Sequence, residues 1–473
     1  MSDVPESSDF PRVPPVMPGQ QRNPWTWAVL GAIFLVLIGF ALYGNFRPEH
    51  EAVASADAEL VTLRMQTAMS ALQEQVLAAS DETSKAQLKQ AMDKNVDTLR
   101  KQNRESAAKL AKAKHLSTDN ARVLLALERE AGDQPDSRAL HVLANSKDLV
   151  DRNVAEIYGS DTLTKADAER LSPKSHEFLD RLAAVHAQEK AGGSGLRKGL
   201  VNIGAVLALF VFVLFAMALV VAGGVVWIVH LAARTNGAAP RGLPVQFMSK
   251  AAADRFALRM ALYLAGYIGI SILNQRFLHL DSVLSGCVGL ASVAVFVVLM
   301  LKVPVLGVDD PINKIAGKKP LQGIVGPALA AWAANGPLMV GMVLLSSVLV
   351  KFFPTPSHPV TQELASTTDP LKLGLIFLTA SVLAPFIEET TFRGLLFPAL
   401  STLTGKPWVG MVVSGLLFAS IHPQGPALWP ALAGLGALMA YLTYWTGSIV
   451  PGMVLHGLHN GAILLVSILI NSL

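Results

Sequence analysis

Residues Leu200 to Ala232 read LVNIGAVLALFVFVLFAMALVVAGGVVWIVHLA, an apolar run without a single Asp, Glu, Lys or Arg. About 20 such residues, rising 1.5 Å each in a helix, cross the ~30 Å of hydrocarbon in a bilayer. The run therefore reads as a membrane-spanning helix. Further runs of the same kind follow: Phe256 to Leu273, Val283 to Leu301, Ile324 to Val350, Leu373 to Leu403, Pro407 to Ile421, Ala427 to Trp445, and Ile449 to Ile470. Toward the N-terminus the pattern reverses, and from Arg47 to Lys198 the chain is rich in Ala, Glu, Lys, Asp, Gln and Ser. Before that lies one more apolar run, Trp25 to Tyr43. It is longer than a usual signal-peptide core and no small-x-small cleavage site follows closely, so a retained anchor is expected.

The expected fold is all-α: a polytopic membrane bundle of about nine spans, with a helical soluble domain inserted after the first. Residues 1–24, with six prolines, read as a disordered cytoplasmic tail. Residues 25–44 are the membrane anchor, 45–190 the extracytoplasmic soluble domain, 191–198 a linker containing AGGSG, and 199–473 an eight-helix membrane domain. Hydrophobic residues make up 52% and charged residues only 16%, which two territories of different solvent explain. The net charge of +4 sits mostly in loops and argues for membrane topology rather than nucleic acid. Arg234, Arg241, Lys250, Arg255 and Arg259, then Lys302, Lys314, Lys318 and Lys319, mark cytoplasmic segments and put the soluble domain outside. The lone Cys287 excludes an internal disulfide and reads as a small buried hydrophobe.

In the soluble region Leu60, Leu63, Met69, Leu72 and Val76 recur at helical spacing, which suits helices packed on each other or on a second copy of the chain. Ser117 to Asp119 and Ser160 to Asp167 carry capping signals. His115, His141, His176 and His186 lack metal-ligand spacing and read as packed or solvated.

Chemistry is expected where ionisable residues interrupt apolar segments, because such residues are costly at membrane depth. Leu383 to Leu396 reads LAPFIEETTFRGLL. Glu389 and Arg393, four apart, share a helical face and can pair, while Glu388 points about 100° away and is left for general-base work. His422 closes Phe418-Ala-Ser-Ile-His, at the end of an apolar span before Pro423. His456 and Asn460, in His-Gly-Leu-His-Asn, are also four apart; His459 lies off their face. A carboxylate base, two imidazoles and a carboxamide suit amide hydrolysis by an activated water. The imidazoles would hold a metal or position the water, and the carboxamide would donate to the oxyanion. Two other readings stay open: a non-catalytic scaffold or receptor with a structural polar network, and a proton-coupled transporter. No clear internal repeat favours the transporter. A serine protease lacks a Gly-x-Ser-x-Gly setting here.

The ordered set Glu388-Glu389-x-x-x-Arg393, Phe418-x-x-x-His422 and His456-x-x-x-Asn460 resembles the CPBP family. That family comprises CAAX-processing intramembrane proteases and bacteriocin-processing or immunity proteins, and is also called ABI. The resemblance covers roughly Leu200 onward and implies an eight-helix core in which Glu388 activates water, Glu389 and Arg393 support it, and His422, His456 and Asn460 complete the site. It implies either a glutamate-type protease with no cofactor or a zinc enzyme ligated by Glu388, His422 and His456. The implied substrate is a membrane-associated or lipidated protein or a peptide, met at membrane lipid in a bacterial inner (cytoplasmic) membrane. The anchor and soluble domain are additions to the usual family core and could recruit a partner, gate access or make a homodimer.

Overall fold

The computed structural model describes residues 22–45, 48–113, 115–173, 177–193, 196–236, 249–277, 282–302, 322–353, 360, 363–364, 367 and 369–473. The expected tail up to residue 21, linker residues 194 and 195, the basic segments 237–248 and 303–321, and His176 lie outside them. Every regular element among the described residues is helical, and the chain is an all-α polytopic membrane protein. It forms two compact units: the chain up to Asn45 with Val213–Leu465, and Phe46–Phe212 with Val466–Leu473.

The helices are α1 (Trp25–Asn45), α2 (Pro48–Ala79), α3 (Glu82–Leu110), α4 (Thr118–Ala131), α5 (Ser137–Ala144), α6 (Leu149–Gly159), α7 (Lys165–Leu171) and α8 (Phe178–Lys190). A 3₁₀ turn, Leu196–Leu200, leads into α9 (Ile203–Thr235), α10 (Lys250–Phe277), α11 (Ser282–Lys302) and α12 (Gln322–Leu349). The long α13 (Pro370–Thr404) is followed by α14 (Pro407–Ser420), α15 (Trp429–Thr446) and α16 (Val450–Asn471).

In the soluble unit the capping signals act where the sequence places them. The Ser117 hydroxyl accepts from the Asn120 amide at the start of α4, and Thr164 accepts from Asp167 at the start of α7. These bonds satisfy donors that the first helical turn leaves free. Gly132 ends α4 at φ 76°, a conformation that side chains with a Cβ disfavour. Leu63, Leu110, Leu124, Leu143, Ile157 and Leu182 close the core. Two ionic knots cross it. Arg122 bridges Asp151 (2.6 Å) and Asp180 (3.0 Å). His186, fully buried, bonds to the Tyr158 hydroxyl (3.0 Å) and to Glu130 (2.8 Å), which Arg197 also holds. Burial pushes the Glu130 carboxyl up, but its bonds to His186 and Arg197 outweigh that and hold it down at about 2.

Among the described residues, seven helices are long and apolar enough to span: α1, α9, α10, α11, α12, α13 and α16. The other two of the nine expected runs are helical as well, one shorter and one less apolar. The run from Pro407 is a helix of 14 residues, about 21 Å long at 1.5 Å per residue. The run from Ala427 becomes an 18-residue helix, α15, whose Trp, Tyr and Thr residues dilute its hydropathy. Val221, Ile228, Phe277, Leu344 and Leu371 stay exposed, as a lipid-facing surface requires. The core of the membrane unit gathers Phe256, Met260, Phe392, Leu395, Phe418 and Met439 from α10, α13, α14 and α15.

Candidate active site

Helix α13 carries the first group of polar residues, and its backbone is irregular around them. It widens into π-helical turns at Thr379–Leu383 and at Thr390–Leu396, leaving a short α-helical stretch, Ala384–Glu389, between. Such turns are uncommon and concentrate at functional sites. Pro385 explains the first. The Ala384 amide bonds back to the Thr379 carbonyl, five residues away. The next amide in that pattern would serve Ala380, but Pro385 has none. The freed Ala380 carbonyl instead accepts from the Asn460 carboxamide Nδ2 at 2.8 Å.

Glu389 and Arg393 are both fully buried, with Arg393 Nη1 donating to Glu389 Oε1 at 2.9 Å. The Arg393 guanidinium also lies 4.5 Å from the centre of the Phe418 ring. A charge at this depth persists only when paired, and here the two charges compensate each other. The same Glu389 oxygen lies 3.1 Å from His456 Nδ1. The other face of that imidazole, Nε2, is 3.7 Å from Glu388 Oε2, and the Glu388 side chain keeps 28% exposure. Arg393, Glu389, His456 and Glu388 thus form one chain of contacts, closed at the buried end and open at Glu388. Glycines make the room for it. A Cβ on Gly452 would stand 3.2 Å from Glu389 Oε2, and one on Gly436 would stand 2.8 Å from Arg393 Nη2.

His422 reaches this neighbourhood because α14 stops early. Its ring lies 4.5 Å from that of Phe418, tilted by 59°, and the Phe418 ring lies 5.8 Å from that of His456. The turn after it is completed by Gly425 at φ 77°. His422 Nδ1 lies 2.6 Å from the Phe418 carbonyl oxygen, which only accepts, so the proton sits on Nδ1 and Nε2 is free to accept.

The six expected residues fall into two groups. Glu388, Glu389, Arg393 and His456 are joined directly, and His422 stands beside them through Phe418. Asn460 is brought to the same helix pair, but one of its N–H groups is committed to a backbone carbonyl rather than held free for an oxyanion. His459 turns to α12, where its Nδ1 lies 3.4 Å from Asn335 Nδ2. The zinc set Glu388, His422 and His456 is not assembled: no group of three or more His, Cys, Asp or Glu among the described residues is placed to hold an ion. Catalytic zinc takes three protein ligands, and only His456 and Glu388 approach each other here. Cys287 is half-buried, with its thiol 3.0 Å from the Thr379 hydroxyl.

The membrane unit thus brings two carboxylates, an arginine and two histidines from apolar helices toward one place. Residues 370–462 match the family model described as type II CAAX prenyl endopeptidase Rce1-like. The chain is also 25% identical over 158 residues to the membrane-embedded CAAX protease MroQ of Staphylococcus aureus (strain USA300). That match covers 32% of this chain and 62% of the relative, somewhat less than two thirds of its length. No solved structure matches the chain.

Proposed function

We propose that this protein is an intramembrane endopeptidase that hydrolyses a peptide bond with water activated by Glu388. The observation that carries the reading is the buried chain Arg393, Glu389, His456, ending on Glu388. Glu389 Oε1 already accepts from Arg393, and as an acceptor toward His456 too it puts that ring's proton on Nδ1, with the Nε2 lone pair facing Glu388. Two acceptors 3.7 Å apart are well placed to hold one water that donates to both. Such a water points its lone pair away from them, toward an incoming carbonyl carbon. Glu388 takes one proton as the oxygen attacks and returns it to the departing amine nitrogen, which gives a carboxylic acid and an amine. The second N–H of Asn460 is the donor for the developing oxyanion. His422, through Nε2, orients the water or receives its proton.

The substrate class we propose is a membrane-associated or lipidated protein or a peptide, met at the level of the bilayer. We place the protein in a cytoplasmic membrane with the soluble unit outside. The basic segments around Arg234 to Arg259 support this by the positive-inside rule.

The test compares wild type with Glu388→Gln, purified in detergent, on quenched peptides with and without a lipidated cysteine. The variant is expected to lose at least ~100-fold in turnover while its melting temperature changes little. Equal cleavage by two folded proteins would return the polar residues to a structural or proton-relay role.

A further inference from the structure

Asn335 is a carboxamide buried to 3% exposure in α12, far from the family motif in sequence. Its Oδ1 has no hydrogen-bond partner among the described residues. Its Nδ2 faces only His459 Nδ1, at 3.4 Å. An apolar side chain of the same size would fill this position without burying an unpaired acceptor, so packing alone gives no reason for the asparagine. His459 lies three residues after His456 on α16, about 60° round the helix and roughly 4.5 Å along it. The two imidazoles therefore open on adjacent sectors of one helix.

We propose that Asn335 and His459 form a second polar subsite that binds a backbone amide of the substrate beside the scissile bond. The inference rests on the protease reading above. An amide nitrogen only donates, so His459 Nδ1 accepts and its ring proton lies on Nε2. The pair then offers one acceptor, Asn335 Oδ1, and one donor, His459 Nε2–H. These are the complement of a peptide N–H and C=O. A segment unwound for cleavage at membrane depth brings such groups with no water to satisfy them. A fixed donor and acceptor next to the nucleophile would hold the strand in register and compensate that loss.

The test uses the full-length protein and quenched peptides carrying a single N-methylated amide at successive positions around the scissile bond, which deletes one N–H at a time. Wild type is expected to lose about tenfold in kcat/KM at one position away from the scissile amide, because Asn335 Oδ1 then has no donor. Asn335→Leu is expected to cleave the unmodified peptide about tenfold less well and to lose no more on that methylated one. His459→Phe, which removes the donor and keeps a ring, serves as the second variant, and melting temperatures establish that each is folded. If Asn335→Leu and His459→Phe, both folded, keep the full methylation penalty, the subsite is refuted while the protease reading stands. If wild type cleaves no peptide and behaves as Glu388→Gln does, the protease reading fails and the subsite with it.

Discussion

Arg393 lies at 0% exposure, with one nitrogen on Glu389 and with Nε and Nη2 unpartnered among the described residues. Removing the guanidinium would leave Glu389 with only its contact to His456 at membrane depth, where a broken buried pair costs about 3–5 kcal/mol. Arg393→Met should therefore destabilise the membrane unit by that amount, read as a lowered midpoint of denaturation in detergent. Adding Glu389→Gln should recover a large part of it, because the orphan charge disappears. Cleavage should not recover, because a neutral amide no longer fixes the His456 tautomer. If the double variant regains both stability and activity, the pair has no part in orienting the imidazole. This pair was legible in the sequence, since a four-residue spacing on an apolar helix admits few other arrangements. The two bonds of His456 were not legible, because they depend on which ring face meets α13.

At the scale of the helix, Pro385 and Asn460 make a compensating couple. The proline removes a backbone donor, and the carboxamide replaces it at the Ala380 carbonyl. Asn460→Leu should cost about 1–3 kcal/mol, the range for a buried acceptor left bare. Pro385→Ala, which restores an amide to the helix, should make the same change cheaper, so a double-mutant cycle should show coupling well above 0.5 kcal/mol in size. Strict additivity would mean that the proline and the asparagine are unrelated. The spacing His456-x-x-x-Asn460 pointed correctly to one shared helix face. It could not show that the face is used partly to mend α13, because π-helical turns have no periodicity of their own in an apolar run. Glycine carries a similar hidden role. Gly436→Ala would set a methyl 2.8 Å from Arg393 Nη2 and 2.9 Å from the Gly415 Cα. It should lower both melting temperature and kcat, whereas Gly434→Ala, next to the flexible Met342 side chain, should change kcat little. The short α14 was legible to within a residue: composition ends that run at Ile421 and the helix ends at Ser420, which keeps His422 beside Phe418.

At the scale of the whole chain, the sequence separates soluble from membrane territory by composition, but the compact soluble unit runs to Phe212 and takes in Val466–Leu473. Composition misses this because both added pieces are apolar. Arg64 of α2 bonds to the Asn471 carbonyl at the end of α16, and Leu473 is buried with Ala68 and Ala205. The soluble unit has its own pH response. Burial pushes the Glu128 carboxyl up from 4.5 to about 7, aided by the nearby charges of Asp136 and Asp133 and opposed by a bond from the Asp136 amide. In the unfolded chain this group returns to its ordinary value, so between about 4.5 and 7 the folded unit binds the extra proton. The stability it contributes is full below 4.5 and is lost as pH rises through about 7. Glu130, held down at about 2, stays ionised throughout that interval and contributes no slope there. Calorimetry of the full-length protein in detergent should show wild type losing stability between pH 5 and pH 8 relative to Glu128→Gln, which keeps the shape of the side chain without the titration. Parallel curves for the two proteins would mean that Glu128 is ionised in the folded state at both pH values, and that Asp133 and Asp136 do not crowd its charge.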